Sequence, residues 1–346
     1  MKTLFAIASF FLLTISLLFY PERTKTSEKF WVQNSKKQEA LFFLDSIRSL
    51  NTKKLIDEIT ATTDSIHLNQ RNINKILSPS DFEKLQQAIK NKEMPITVVK
   101  SIFGNIPIDS TYIQHGAIPI TFFTLGQKKE VITQYAIALN DSNISRESDV
   151  YFFSEDTLLS RHHISHRYAL DIQFYTDHIS KKTIIYYTQN QISGSGTWEY
   201  HFNFYQYEKN GLRPILSEIA IANLQPPWSS RIIELHSKIS KTTPLTMHIE
   251  YQQQLVDSEN PLIKHPIAKD SIYIEYQWNH TYRKLETKYK NTSFSKEKHT
   301  SFYISQSDLL FLHAYQPEIR QLLAYKNPSQ SVINYILEVK NTIRKK

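Results

Sequence analysis

The stretch that most limits what this chain can become is Thr197–Tyr207, TWEYHFNFYQY. Trp198, Tyr200, Phe202 and Phe204 fall at every second position, with Glu199, His201, Asn203, Tyr205 and Tyr207 between them. Period two places successive side chains on opposite faces of a strand; a helix would scatter them around its circumference. Glycines at 194 and 196 precede this run, and Glu208-Lys209-Asn210-Gly211 follows it. Asn-Gly between two apolar runs signals a hairpin, because tight strand reversals need positive φ. The expected unit is a β-meander over Thr183–Ser217, with Trp198, Tyr200, Phe202 and Phe204 as its apolar face. Pro214 marks the third strand as one that starts there or lies at an edge. The SGSG turn lacks the Lys-Ser/Thr ending of a phosphate cradle and reads as a plain turn.

Further short runs recur from residue 95 to 316, including Ile96–Ile102, Leu245–Val256, Ser271–Trp278 and Ser301–Ser305. The expected fold is mainly β: antiparallel meander sheets forming a sandwich, barrel or propeller-like array, with N-terminal and C-terminal helices. No fixed repeat period stands out. Residues 26–94 read as a helical segment, on the stripe Ala40, Phe43, Leu44 and Ile47 and a capping box at Ser80–Glu83. The polar run Thr60–Asn74 reads as loop or helix continuation. Residues 317–346 return to helix, led by Pro317, and their Val332, Ile333, Ile336 stripe is expected to dock on the body. A subdivision of the β region near 225–229 is suggested by Gln225-Pro226-Pro227-Trp228.

Residues 1–25 have a different character. Lys2 precedes an uncharged run, LFAIASFFLLTISLLFY, about the shortest length that spans a bilayer as a helix. Leu18, Phe19, Tyr20 and Pro21 offer no small-x-small cleavage site, which favours a signal anchor over a cleaved signal peptide. The expected location is the cell membrane, single-pass with an extracytoplasmic body, or secreted or periplasmic if the leader is removed. Arg23, Lys25 and Lys29 pull the other way, since a basic flank tends to stay in the cytoplasm.

Composition removes several functions. The chain of 346 residues contains no cysteine, which excludes disulfides, thiolate metal sites and a cysteine nucleophile. Its net charge of +8 is spread along the chain without a recognisable reading module, so no nucleic-acid partner is expected. No nucleotide fingerprint, Walker loop or zincin helix occurs, and no cofactor is expected.

Two groups of residues can carry chemistry. Arg161-His162-His163-Ile164-Ser165-His166-Arg167 puts His162 and His166 on one face of a strand as candidate metal ligands. Four strand residues span about 13 Å, however, too far for one ion, and the flanking arginines repel a cation. Glu199 and Glu250, on faces read as polar and exposed, are candidate ligand-binding residues, with Trp228 and Trp278 as stacking platforms for a sugar. Glycoside hydrolysis would need two such carboxylates roughly 5–10 Å apart across a cleft. With no catalytic motif, the expectation is a binding or assembly module at the cell envelope. It would be held to the membrane by its N-terminal helix and present a protein or glycan site. The alternative is an extracytoplasmic carbohydrate hydrolase using paired carboxylates.

Overall fold

The structure is a computed structural model. It describes residues 34–63, 69–128, 131–139, 147–165, 172–177, 182–208, 211–225, 229–257, 260, 262–289, 294–325 and 329–344. The leader, residues 1–25, lies outside the described residues, as do His166 and Trp228. Among the described residues no helix is long and apolar enough to cross a membrane.

The protein is mainly β, with two antiparallel sheets and helices toward both ends of the chain. The first sheet contains β1 (Asn69–Ile76), β2 (Glu93–Pro95), β3 (Ala117–Lys128), β4 (Val131–Leu139), β5 (Glu147–Ser154) and β6 (Thr157–Ser165). Its order is β1-β6-β5-β4-β3-β2, a meander closed at one edge by the early strand β1. The second sheet holds β7 (Gln173–Thr176), β8 (Thr183–Gly194), β9 (Thr197–Glu208), β10 (Gly211–Leu224) and β11 (Arg231–Thr242). It continues through β12 (Leu245–Val256), β13 (Lys264–Asn279) and β14 (Lys284–Thr287), with neighbours in strict chain order. β10 and β11 pair across residues 225–229, so the sheet does not divide there; the two sheets part between β6 and β7.

The meander at the centre forms as the alternation requires. Gly194 pairs with Thr197 around a turn in which Gly196 takes φ 74°, and Glu208 pairs with Gly211. Gly211 is needed for room rather than for a turn. A Cβ there would lie 1.8 Å from Gln70 Nε2. Gln70 would have to swing aside and give up the bond its Oε1 accepts from Leu212 N–H at 3.1 Å.

Both faces of β9 are covered: Phe204 is fully buried on the expected face, and the opposite, more polar face is buried as well. Glu199, His201, Asn203, Tyr205 and Tyr207 are all buried, whereas Trp198 is 38% exposed and Tyr200 and Phe202 are half-buried. Tyr205 and Tyr207 enter a layer between the sheets, where Ile185, Tyr187 and Leu212 meet Phe123, Ala136, Val150 and Phe152. Alternation identifies two faces; which one is covered depends on what packs there.

Helices cover the outer surfaces. α1 (34–46), α2 (Thr52–Thr63), α3 (Pro79–Asn91), α4 (Ile96–Phe103) and α5 (Ser110–His115) come first. α6 (Lys296–Thr300), α7 (Asp308–Ala314), α8 (Gln316–Ala324) and α9 (Gln330–Arg344) close the chain. Leu85 and Ala88 of α3 and Val98, Val99 and Ile102 of α4 join Tyr135, Ile137 and Tyr151 of the first sheet. α9 docks as expected, burying Val332, Ile333, Ile336 and Val339 with Ala40 and Leu44 of α1 and Leu255 of β12.

Three local expectations are corrected. Residues 26–94 are not wholly helical: β1 and β2 lie among them, and within the polar run Thr60–Asn74 α2 continues as helix to Thr63 while β1 takes residues 69–74 and pairs with β6. Ile96–Ile102 is helix, not strand; Ile96, Val98, Val99 and Ile102 bury together, so tertiary packing overrides their β-branched propensity. Ser301–Ser305 is a turn region after α6. The cap of α3 is also displaced from the sequence reading. Ser78 Oγ accepts from Asp81 N–H at 3.1 Å, with Pro79 in the first helical turn. Ser78→Ala should cost about 1 kcal/mol in chemical denaturation, the usual value of an N-cap.

Candidate functional site

The second sheet curls. Its terminal strand β14 returns to lie against β10, four strands away in the order. Arg213 of β10 closes one end: Nη1 donates to the Arg283 carbonyl, and both arginines bind Glu208, Arg213 Nε at 2.8 Å. Beyond this clamp lies a cavity of about 410 Å³ bounded by Pro214–Glu218 of β10 and Lys284–Thr287 of β14. Tyr289, Lys296, His299 and Tyr303 complete its walls.

A carboxylate lies beneath this cavity. Glu218 is buried, a placement that strongly disfavours an unpaired charge. Its Oε2 accepts from Tyr276 O–H at 2.7 Å and its Oε1 from Ile219 N–H at 2.9 Å. His299 Nε2 lies 3.0 Å from Oε1 as an ion-pair contact, off the line of a hydrogen bond, and His299 Nδ1 is 2.7 Å from Tyr289 Oη. Burial alone would raise the Glu218 pKa. The His299 imidazole, the Tyr276 hydroxyl and the Ile219 amide outweigh it and hold the group below the usual carboxylate value. Burial, reinforced by this carboxylate, drives the Tyr276 phenol far upward.

A second polar chain adjoins the first through the next residue of β10. Ser217 Oγ is 2.9 Å from His201 Nδ1 and donates to Asn203 Oδ1 at 3.0 Å. His201 Nε2 is 2.8 Å from Glu199 Oε1, and Glu199 Oε2 accepts from Ile304 N–H at 2.6 Å. Glu199 is therefore a buried tie between β9 and the segment after α6, not a groove-lining group. Glu250 stands apart on β12, exposed, 3.8 Å from His248 Nδ1. Trp278 packs on the core of the second sheet with the Arg213 guanidinium 5.7 Å from its ring centroid, which occupies a face a sugar would need. The paired-carboxylate arrangement therefore does not assemble from Glu199 and Glu250.

His162 is buried where the sheets meet, its Nε2 3.3 Å from Tyr187 Oη, which is 2.8 Å from Tyr205 Oη. His163 points elsewhere, with Nδ1 2.8 Å from Asp149 Oδ1, which also accepts from Arg161 Nε at 2.7 Å. No group of three metal-ligating side chains gathers among the described residues. The role of His162 is structural and pH-dependent. Burial, with His163 adding to it, pushes its pKa down to about 4. Below an unfolded value of about 6.5 the unfolded chain binds the proton first, so stability falls with pH from about 6.5 to about 4. The total is about 3 kcal/mol, at 1.36 kcal/mol per unit. His162→Phe should flatten that part of the stability–pH curve in urea titrations; an unchanged slope would reject the assignment.

The β10–β14 cavity was not legible beforehand. Glu218 and His299 are 81 positions apart in the chain, and only the curl of the sheet joins them. The one available signal was Pro214, read as an edge marker, which does sit on the cavity wall. No protein-family model, no curated protein and no solved structure matches the chain.

Proposed function

We propose that this chain is a binding module whose ligand seat is the cavity between β10 and β14. The observation that supports the reading is the cavity's construction. A knot of Glu218, His299, Tyr276 and Tyr289 fixes its base, while Ser217, Thr287 and Lys296 furnish polar walls. Rigid polar groups around a concave space of this size are what a specific ligand site requires. We further place the module at the cell envelope, tethered by the apolar leader; the support is the LFAIASFFLLTISLLFY run.

Amide NMR of the full chain in detergent tests the seat, using short peptides, mono- and disaccharides, and inorganic phosphate as probes. At least one class should shift Ile215–Glu218 and Lys284–Thr287 together and saturably. Responses mapping elsewhere, or none from the panel, would overturn it. A C-terminal reporter active only outside the cytoplasm tests the location, and a well-expressed but inactive fusion reverses it.

A further inference from the structure

The cavity is lined in an unusual way. A pocket over a sheet's face touches every second residue, because neighbours point to opposite sides. This one touches five consecutive residues of β10, Pro214 to Glu218, and four of β14, Lys284 to Thr287. It is a slot between two strand edges. β10 pairs with β9 along Gly211–Leu224 but with β11 only over Ile221–Leu224. β14 is the terminal strand and pairs with β13. Along the slot, then, neither strand has a ladder partner on the inner side among the described residues.

Alternation fixes which backbone groups face the slot. In an antiparallel pair, every second residue turns its N–H and C=O away from the partner strand. Ile219 N–H bonds the Glu218 carboxylate, and Ser217, two residues earlier with no bulge between them, has the same parity on β10. At the clamped end Pro214 has no N–H to offer an added strand, and the β9–β10 ladder bulges between Pro214 and Leu216. Charged side chains of both signs line the slot. Both carboxylates on the walls are engaged, Glu218 as described and Glu286 by Asn279 Nδ2 at 2.8 Å. Lys284 and Lys296 stand on the same walls, and Lys296 is exposed.

We propose that the occupant is an extended peptide segment of a partner, carrying an acidic side chain toward Lys296 and adding a short strand to β10 at Ser217. This rests on the binding reading above and names its ligand. Main-chain bonds supply affinity in such strand addition and side-chain contacts supply selectivity.

The test uses degenerate hexapeptide libraries with a fixed central Glu or a fixed central Lys, titrated against the full chain in detergent. The Glu library should bind and slow hydrogen exchange at Ser217 and in β14. N-methylation at alternate positions of a selected peptide should weaken binding about tenfold in one register and little in the other, since only one set of amides meets β10. Lys296→Glu should reverse the preference between libraries; this exposed substitution leaves the fold intact. Equal sensitivity in both registers, protection elsewhere, or no reversal would overturn the proposal. Sugars or phosphate binding the slot while peptides do not would sink the peptide assignment and leave the binding reading standing. Silence from every probe would sink both.

Discussion

Glu218→Ala should destabilise the protein by about 3–5 kcal/mol, the range found when one partner of a buried pair is removed. The size follows from what is stranded. Tyr276 O–H, Ile219 N–H and the His299 imidazole all converge on this carboxylate in the buried base of the slot. Alanine leaves each without its acceptor and opens a cavity. Glu218→Gln keeps the volume and one acceptor oxygen, and should cost less. The same pairing gives acid sensitivity. Because the folded Glu218 pKa is lowered, its stabilisation is complete above about 4.5 and is lost as pH falls through the folded value. Urea midpoints across pH 3 to 7 for wild type and Glu218→Gln check both statements. An Ala variant within 1 kcal/mol of wild type would mean that the knot is dispensable.

Arg231→Ala should lose about 3 kcal/mol, as expected when a large buried side chain is truncated. Arg231 opens β11 and is fully buried. Its Nη2 donates to Ser307 Oγ at 2.9 Å and lies 3.2 Å from Asp308 Oδ1, while its guanidinium sits 4.8 Å from the Phe311 ring centroid. It thus ties the second sheet to α7. Nε and Nη1 have no hydrogen-bond partner among the described residues, so the charge is poorly compensated, and Arg231→Met should fall within about 1.5 kcal/mol of wild type. Thermal and urea denaturation of both variants separates packing from charge. If Met proved as damaging as Ala, the ion pair rather than the stem would carry the contribution.

Local pattern carried the elements and failed at what covers them. Thr197–Tyr207 is a strand because its side chains alternate, yet its more polar face is covered as well: Asn203 meets Gln189 and Ser217, and Glu199 meets the Ile304 amide. Those partners arrive from positions up to 105 residues away. No local rule separates a polar residue facing water from one satisfied by a distant backbone group. Ile96–Phe103 failed differently, since β-branched residues suit either period over so short a run. For the site, Pro214 advertised an edge, but the slot exists because β14 comes back to β10, a consequence of sheet curvature that no stretch of sequence encodes by itself.

The first described helix rests on the last. Ala40 and Leu44 of α1 pack with Ile333 and Ile336 of α9, and Lys340 reaches Glu39. This greasy seam therefore cannot zip shut until α9 has been made and has emerged from the ribosome. A product cut short before α9 would keep its pleated layers and yet display raw oil beside the very end from which any leader would hang. Formation of that last helix and burial of the sticky patch are one event.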